Sequence, residues 1–575
     1  MLIKGELKTL KDIIVDKCVE YKDNVCFLEK NKVTKKFEEK KYSELKDDVI
    51  SLSTALYRKF GLLNQKVAVI GENSYKWFVS YMAVTTGVGV VVPLDKELPA
   101  EEILNLLKRS GAKCIIYSSK KSEVIDQIKN EIQKSVEKDM IFIEMDKERS
   151  DSSSYSYDEV VKIGKELVEL GENWYFENEV DRNEMRLLMF TSGTTAKSKG
   201  VMLCHRNIIS NLDGATEMMR VDSNDRFFSI LPMHHIYEMV VTCIYAIANG
   251  SSVAICEGLK YIAQDIKITK PTILVCVPLL VEYVCKKIDK TLKESNKKLM
   301  AEFMVRGTDV LDAFGIHLKR KIFDQIHESL GGRLRYILVS AAPIEKRLIK
   351  QIEGYGYIVY QGYGLTETTS LVSGTRAYDK KRTGTVGTPS SCEVKIEKIN
   401  GSDEGEILVK GDNVMLGYYK DEEATRSVII DGWFHTGDLA HFNKDGNIVI
   451  TGRCKNVIVT NNGKNIFPEE LENEINKIKG VKESMVYGDG EGSDMSICAI
   501  VTLDEEELKE FYGETVPDDK DVKNRIWEGI KAINKKMVPY KAIKKLKTRN
   551  KDFEKTTTLK IKRFLESNKE EILEN

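Results

Sequence analysis

A ten-residue segment rich in glycine, hydroxyl and lysine side chains follows a run that is typical of a buried strand. The run is 185–189 and the segment is 191–200, TSGTTAKSKG. Glycines let backbone N–H groups approach an anion, hydroxyls donate further hydrogen bonds, and lysines neutralise negative charge. It is not a Walker loop, because Ser198 stands five residues after Gly193 and no Gly-Lys-Ser/Thr follows. The pattern indicates a polyphosphate-binding loop, with an ordinary Ser/Thr/Gly turn as the alternative.

A second segment carries the other groups that a bound nucleotide needs. Residues 361–369 read QGYGLTETT. Tyr363 offers an aromatic face for a base, and Glu367 offers a carboxylate of the kind that holds Mg²⁺ on a nucleotide. The alternatives are a plain core aromatic for Tyr363 and a surface carboxylate for Glu367. Taken with the first segment, these residues favour a site for a Mg²⁺-bound nucleotide.

Two shorter segments and the C-terminal region supply further candidates. His235 ends the sequence LPMHH, where a histidine packed under a loop is the ordinary structural interpretation. Asp438 ends the sequence DGWFHTGD, a turn in which an aspartate often only caps its own backbone. Residues 541–563 include ten basic and two acidic side chains, a net charge of +8. Such a run is typical of a solvated face, or of a surface that meets an anion.

The elements that must hold the first segment read as alternating strands and helices. Lys66–Ile70 and Gly87–Pro93 are predicted strands on either side of a predicted helix, 74–86. A second helix is predicted over 100–109, with Gly111 as its stop, before a strand at 114–117. This alternation predicts parallel sheets and an α/β fold.

The region after Arg453 predicts a smaller α+β domain. Pro468 stands at a helix start, residues 496–503 form a strand-like run, and a helix is predicted from about 519 to 537. About 120 residues are enough for an independent core. The division expected is therefore a large domain, 1–454, followed by a small one, 455–575.

The composition excludes several classes of protein. The chain has 575 residues, of which 42% are hydrophobic and 31% charged, so it can bury a core. With 88 basic and 89 acidic residues its net charge is −1, which argues against a nucleic-acid-binding surface. No signal peptide and no run of about 18 apolar residues is apparent, so a cytoplasmic location is expected. Scattered cysteines, 11 in all, and the absence of HExxH argue against a protein-held zinc ion.

In their order along the chain, these segments resemble the adenylate-forming superfamily of acyl-CoA synthetases, beetle luciferases and peptide-synthetase adenylation domains. Seven segments match: 191–200 the phosphate loop, 231–235 the acyl-pocket segment, 340–343 the strand end beside adenine, 361–368 the adenine and Mg²⁺ motif, 436–438 and Arg453 the ribose-binding elements, and 555–563 the motif with a mobile catalytic lysine. Ala196 and Ser198 replace the usual Gly and Pro of the phosphate loop. Glu554 and Leu559 replace the usual Pro and Gly around the catalytic lysine, Lys560.

The resemblance implies a two-step reaction with ATP, Mg²⁺ and CoA, in which an acyl-adenylate forms and is then attacked by the CoA thiol. It implies that the small domain is mobile and turns about Lys455. The catalytic residues it implies are Thr191, His235, Glu367 and Lys560, with Glu367 also holding Mg²⁺. The nucleotide- and CoA-binding residues it implies are Thr191, Ser192, Gly193, Thr194, Thr195, Lys199, Ala341, Ala342, Pro343, Gln361, Gly362, Tyr363, Gly364, Thr366, Asp438, Arg453, Lys455, Gly463 and Lys560.

Two stretches of the sequence limit which carboxylic acid can be the substrate: the pocket segment and residues 318–343. Residues 233–236 contain no acidic side chain to pair a substrate ammonium, which argues against an α-amino acid. The stretch 318–343 resembles the long-chain fatty acyl-CoA synthetase branch, so a fatty acid, ATP and CoA are the expected substrates. Aryl acids, acyl carrier protein as the acceptor, and a non-ligating nucleotide-binding regulator stay open as alternatives, as does peripheral membrane contact.

Overall fold

The computed structural model describes residues 2–132, 139–191, 198–294, 304–305, 318–377, 382–398, 403–459, 465–489, 496–512, 519–549, 551–555, 561–563 and 565. The chain divides into two compact units. The large unit comprises the described residues of 1–191, 198–394 and 409–434, and the small unit those of 395–408 and 435–575. The α/β fold with a large N-terminal and a small C-terminal part, predicted from the sequence, is thus confirmed.

An eight-stranded sheet of the large unit contains the strands that flank the first segment. Six of its strands are parallel to one another, whereas 199–204 and 417–418 run antiparallel to their neighbours. In spatial order the strands are Gly417–Tyr418, Lys199–Cys204, Met185–Thr191, Gly89–Leu94, Gln65–Ile70, Cys114–Tyr117, Ile141–Glu144 and Tyr155–Ser156.

A nine-stranded sheet of the same unit carries the second segment. Its middle strands are parallel, and the strands at its two ends are antiparallel. In spatial order they are Thr388–Pro389, Ser373–Gly374, Ile358–Tyr363, Tyr336–Val339, Ile273–Cys276, Arg226–Ser229, Ser252–Ile255, Val25–Lys30 and Phe37–Lys41. The carboxyl ends of its parallel strands meet at one edge, where ligand sites of α/β folds form.

The two sheets of the large unit share one hydrophobic core. Val91 of the eight-stranded sheet and Phe227 of the nine-stranded sheet belong to one buried cluster, together with Trp77 and Phe78 of a helix. All residues of that helix except Lys76 are buried, because neighbouring elements cover it. The longer helices of the unit are Tyr42–Arg58, Tyr75–Ala83, Ala100–Ser110, Ser122–Ile132, Tyr157–Glu169, His205–Met218, Ile262–Thr269, Pro278–Glu294 and Lys346–Gly354.

One predicted boundary is wrong. The apolar run from Gly87 was expected to be strand throughout, but Val84–Val88 forms a wide helical turn and the strand begins at Gly89. A Cβ on Gly87 would lie 1.8 Å from Ser53 Oγ, so the backbone here packs directly on a neighbouring helix. An apolar run alone cannot distinguish a strand from the buried end of a helix. The helix predicted over 100–109 ends at Ser110, and Gly111 follows it in the left-handed conformation, as expected.

The small unit is built on a three-stranded sheet with helices against it. Strands Val481–Asp489 and Ser496–Leu503 are antiparallel, and Ile543–Arg549 pairs in parallel with the latter. Its helices are Pro468–Ile475, Glu505–Tyr512 and Asp519–Asn534. Buried residues of these elements, among them Leu471 and Ile526, form a separate core.

A further sheet of five strands includes the places where the chain passes from one unit to the other. Its strands are Glu393–Lys398, Gly405–Lys410, Ile429–Ile430, Trp433–Phe442 and Ile448–Arg453. A short hairpin, Ile458–Val459 with Asn465–Ile466, follows. Among the helices that the structure describes, none combines the length and the apolar character needed to cross a bilayer.

Candidate active site

The two stems of the first segment face each other across an antiparallel pair of strands. Thr191 ends one strand, Lys199 begins the next, and the two are register partners. Ser192, Gly193, Thr194 and Thr195 lie outside the described residues. The described structure therefore fixes the two ends of the predicted phosphate loop next to each other.

Lys199 and Glu367 are connected through a tyrosine that the sequence did not single out. Lys199 Nζ lies 4.5 Å from the centre of the Tyr418 ring. The Tyr418 hydroxyl donates a hydrogen bond to Glu367 Oε1 at 3.0 Å. Burial and the adjacent Glu367 raise the pKa of Tyr418, so its hydroxyl keeps its proton and acts as the donor. The loop lysine and the candidate metal-binding carboxylate thus contact the same tyrosine side chain.

This connection joins the two sheets of the large unit. Tyr418 lies in the edge strand of the eight-stranded sheet, whereas Glu367 lies in the short helical turn Thr366–Thr368 that follows a strand of the nine-stranded sheet. Met415 N donates to the Glu367 backbone carbonyl at 2.8 Å, and Leu365 N donates to Thr368 Oγ1 at 2.9 Å. The backbone around Glu367 is therefore fixed as well as its side chain.

The carboxylate of Glu367 fits a divalent cation. It is only partly buried, and among the described residues its second oxygen, Oε2, accepts no hydrogen bond. Hard cations such as Mg²⁺ take carboxylate oxygens and nucleotide phosphates as ligands and retain water molecules. A carboxylate with one oxygen fixed by Tyr418 and one oxygen open meets that need.

The residues predicted beside the adenine lie at the ends of two neighbouring parallel strands. Val339 and Gln361 are register partners, and Ser340 Oγ donates to the Gly362 carbonyl at 2.9 Å. Ala341 has φ of +72°, a conformation that costs a non-glycine residue energy and turns the chain sharply after the strand. As a result Ala341, Ala342 and Pro343 are exposed.

The strand end at Gln361 is held by its own hydrogen bonds. Gln361 N donates to Thr375 Oγ1 at 2.8 Å, and Gln361 Oε1 accepts from Gly384 N at 3.4 Å. Tyr363 and Gly364 are partly buried, beyond this point on the same strand and the turn after it. The second segment is therefore a rigid strand end, on which Tyr363 and Glu367 are four residues apart.

His235 lies in a turn that the side chain of a partly buried asparagine holds. Asn73 Oδ1 accepts from Met233 N at 2.9 Å, and Asn73 Nδ2 donates to the Leu231 carbonyl at 2.7 Å. The rings of His234 and His235 are 4.2 Å apart. Burial lowers the pKa of both histidines, so both are neutral at pH 7.

A buried carboxyl group lies three residues after His235. Glu238 is fully buried, and Thr242 Oγ1 donates to its Oε2 at 2.9 Å. Burial raises the pKa of Glu238 to about 8, against the action of the Ser229 and Thr242 hydroxyls. Glu238 is thus mostly uncharged at neutral pH, and the segment carries no acidic charge from this side chain.

In the small unit, the two predicted ribose-binding residues contact each other. Asp438 and Arg453 are register partners on adjacent strands, and Arg453 Nε lies 2.8 Å from Asp438 Oδ1. Asp438 is buried, and the turn before it is held by Gly437 N, which donates to Glu406 Oε1 at 2.8 Å. Lys455 is exposed in the short helical turn Cys454–Asn456 that follows.

Lys560 itself lies outside the described residues, but the residues on either side of it are described. Lys555 and Ile561 form an antiparallel bridge that closes the stretch containing it. Lys555 Nζ lies 2.6 Å from Glu483, and Arg563 forms an ion pair with Glu472. The base of this stretch is thus anchored to the small unit. Gly463 also lies outside the described residues.

The structure brings together one group of predicted residues in each unit. In the large unit they are Thr191, Lys199 and Glu367, with the strand ends at 340–343 and 361–364 beside one another; in the small unit they are Asp438 and Arg453. Sequence reasoning missed Tyr418, Glu238 and Arg109. Of these, Arg109 donates two hydrogen bonds to Ser198. Tyr418 and Arg109 reach their partners only through tertiary packing. Glu238 is close to His235 in sequence, but its sequence neighbours do not reveal its burial.

The comparisons agree with this geometry. Residues 16–419 match the family described as AMP-binding enzyme, and residues 455–573 match the AMP-binding enzyme C-terminal domain. The chain therefore belongs to the AMP-binding enzyme family, as the resemblance in its motifs predicted. The first family match alone covers well over half of the chain.

Individual relatives are similar over most of their length. The fatty acyl-CoA synthetase B of Dictyostelium discoideum is 28% identical, over 90% of this chain and 80% of its own. The long chain acyl-CoA synthetase 4 of Arabidopsis thaliana is 27% identical, over 87% of this chain and 82% of its own. Among solved structures, the o-succinylbenzoate CoA synthetase of Bacillus subtilis has the same fold, with a TM-score of 0.71 at 20% identity over 97% of this chain and 98% of that one.

Proposed function

We propose that the protein is an ATP-dependent, AMP-forming acid–CoA ligase whose substrate is a fatty acid of medium or long chain. The observation that carries this proposal is the link from Lys199 through Tyr418 to Glu367, at the stems of the predicted phosphate loop. Membership of the AMP-binding enzyme family supports the adenylate-forming step. The printed names of the curated relatives support a fatty acid as the substrate and CoA as the acceptor.

In the first step, the fatty acid carboxylate attacks the α-phosphate of ATP in line and pyrophosphate leaves. Both reactants are anionic, so catalysis consists of positioning and charge neutralisation. The loop hydroxyls of 191–195 and the Lys199 ammonium would bind the phosphates, and Glu367 would hold the Mg²⁺ of MgATP. Mg²⁺, when bound, neutralises phosphate charge. His235, neutral because it is buried, would border the acyl group without adding charge.

In the second step, the CoA thiol attacks the acyl-adenylate carbonyl, and a thioester and AMP result. We propose that residues 455–575 act as a mobile domain, which first presents Lys560 to the phosphates and then turns about Lys455. Gly463 would then lie on the face where pantetheine enters. The ion pairs of Lys555 with Glu483 and of Arg563 with Glu472 lie within 455–575 and support movement of Lys560 together with that domain.

Two groups of residues are the candidates for binding the nucleoside part of ATP. Tyr363 would stack on the adenine, the strand ends at 341–343 and 361–364 would border it, and Asp438 with Arg453 would bind the ribose hydroxyls. The Asp438 carboxylate is buried and already oriented by Arg453, which supports this role. The basic stretch 541–563 would face the phosphates of ATP or CoA.

The charge state of Glu238 favours a fatty acid over an amino acid. A substrate ammonium has no counter-charge from Glu238, which burial keeps mostly protonated. An aryl acid is the second candidate, because the Bacillus subtilis neighbour is named for one, although that likeness supports the fold only. Acyl carrier protein remains the alternative acceptor. A cytoplasmic enzyme with at most peripheral membrane contact is part of the same proposal.

One assay with an acid panel tests the proposal. AMP and pyrophosphate release would be measured with saturated acids of increasing chain length, with coumarate and o-succinylbenzoate, and with CoA, acyl carrier protein or no acceptor. We expect acyl-CoA formation with medium- or long-chain acids. Turnover of an aryl acid alone would contradict the fatty acid, transfer to acyl carrier protein alone would contradict CoA, and ATP binding without AMP release would contradict ligase activity.

A further inference from the structure

An arginine far away in the sequence binds one stem of the predicted phosphate loop. Arg109 Nη1 donates to Ser198 Oγ at 2.9 Å, and Arg109 Nη2 donates to the Ser198 carbonyl oxygen at 2.6 Å. Both acceptors belong to the same residue, so the planar guanidinium fixes the side chain and the peptide of Ser198 together. Ser198 is immediately followed by Lys199.

Arg109 is itself held in place. It lies in the last turn of the helix Ala100–Ser110, and its guanidinium lies 5.1 Å from the centre of the Phe190 ring. Phe190 immediately precedes Thr191 on the opposite stem of the loop. The next residue of the helix, Ser110, accepts a long hydrogen bond, 3.4 Å, from the Tyr419 hydroxyl. One helix end therefore contacts both stems and the strand that carries Tyr418.

The residue that Arg109 binds is one at which this chain departs from its family. Members of the superfamily usually have proline at the position of Ser198. Proline fixes φ near −65° and so limits the loop conformations from inside the chain. Serine has no such restriction, and its flexibility must be limited by external contacts.

We propose that Arg109 is a positioning residue for the ATP phosphate loop, and that its two hydrogen bonds to Ser198 replace the rigidity that proline gives elsewhere. The arrangement orients the peptide bond between Ser198 and Lys199, and with it the lysine that the proposed function assigns to the phosphates. This inference rests on the proposed function of the loop as the ATP site. It assigns to Arg109 no contact with the substrate.

The test compares steady-state KM for ATP and kcat in variants of the full-length protein. Arg109→Met should raise the KM for ATP about tenfold, the scale of a lost hydrogen bond to a charged group, while kcat changes by less than about threefold. Arg109→Lys keeps the charge but not the planar fork, and should recover less than half of the loss. Lys108→Met, which removes a neighbouring exposed charge from the same helix turn, should change neither constant.

A second background separates positioning from a general structural role. Ser198→Pro restores the usual family residue, and in that background Arg109→Met should change the KM for ATP by less than about twofold. A general loss of stability would instead appear equally in both backgrounds. Ser198→Ala keeps the backbone, removes one hydrogen-bond acceptor and should raise the KM for ATP about threefold. It replaces Arg109→Met as the test if that variant does not fold.

Three results would overturn the inference while leaving the proposed function intact: an unchanged KM for ATP in Arg109→Met and Ser198→Ala, full recovery in Arg109→Lys, or an equal effect of Arg109→Met in the Ser198→Pro background. Failure of the proposed function would look different, because the wild-type protein itself would then release no AMP or pyrophosphate with any acid, whether or not it bound ATP.

Discussion

Tyr418 donates a hydrogen bond to Glu367 across the junction of the two sheets, at 3.0 Å between Oη and Oε1. The same tyrosine ring lies beneath the Lys199 ammonium. A lysine of the predicted phosphate loop and the predicted metal-binding carboxylate therefore share one neighbour. This arrangement orients one carboxylate oxygen, while the other accepts no hydrogen bond among the described residues.

Tyr418→Phe isolates the hydroxyl of this link. The ring stays, so its contact with Lys199 is retained, but Glu367 loses the donor that fixes its carboxylate. We expect acyl-adenylate formation to fall about tenfold and the Mg²⁺ concentration for half-maximal activity to rise, because one hydrogen bond to a charged group is lost. Tyr283→Phe, at an exposed tyrosine of the same unit, is the control. Equal Mg²⁺ dependence in wild type and Tyr418→Phe would contradict the role.

Glu367→Gln tests the carboxylate itself. The amide has nearly the same shape but lacks the charge that binds a cation, so adenylation should fall at least about a hundredfold, the scale of one preorganised electrostatic group. Pyrophosphate release and thermal unfolding would be measured together. The unfolding temperature should stay near that of wild type, and Glu422→Gln, an exposed carboxylate, should be fully active. Wild-type rates in a folded Glu367→Gln protein would show that another group holds the ion.

Lys560→Ala should stop the first step but not the second. A cation at the bridging oxygen lowers the barrier only while charge develops there, which happens when pyrophosphate leaves. The variant should fail to form acyl-adenylate yet convert supplied acyl-adenylate and CoA to thioester at close to the wild-type rate. Loss of both half-reactions to the same extent, in a folded protein, would assign Lys560 a static structural role instead.

Lys455→Pro should have the opposite effect. A residue at a hinge must change its backbone angles, and proline fixes φ near −65°. The variant should still form acyl-adenylate but transfer it slowly to CoA, which single-turnover measurements of each half-reaction would reveal. Lys455→Ala keeps the backbone free and provides the control. Normal thioester formation in Lys455→Pro would place the hinge elsewhere or rule out domain rotation.

Glu238→Gln should change how stability depends on pH. The pKa of Glu238 rises from 4.5 to about 8 on folding, so the folded state keeps a proton that the unfolded state loses. The stability that this neutral carboxyl contributes is complete below about pH 4.5 and is lost as the pH rises towards 8. The unfolding free energy of Glu238→Gln should therefore exceed that of wild type by a few kcal/mol at pH 8, since each pKa unit corresponds to about 1.4 kcal/mol. At pH 5 the two should agree closely, and a constant difference between pH 5 and 8 would contradict the assignment.

The sequence by itself determined the family, the α/β class and several elements of the large unit. The predicted strand at 114–117 and the helix end at Gly111 agree with the structure, because alternating apolar runs and a left-handed glycine are local signals. The residue types of the glycine- and hydroxyl-rich segments also indicate phosphate and metal binding without any knowledge of the fold. That is why Thr191 and Glu367 could be proposed before any contact was known.

Only the tertiary structure decided which side chains support these groups. Tyr418 reaches Glu367 across 51 residues of sequence and Arg109 reaches Ser198 across 89, since sheet packing and not spacing brings them together. The pKa of Glu238 follows from burial, which its neighbours in sequence do not reveal. The helical turn at Val84–Val88 also depends on tertiary packing. There a neighbouring helix packs on Gly87, and this contact outweighs the local preference for a strand. Local sequence patterns indicate which side chains can do chemistry and much of the secondary structure. The positions and charge states of those side chains depend on contacts that exist only after the chain has folded.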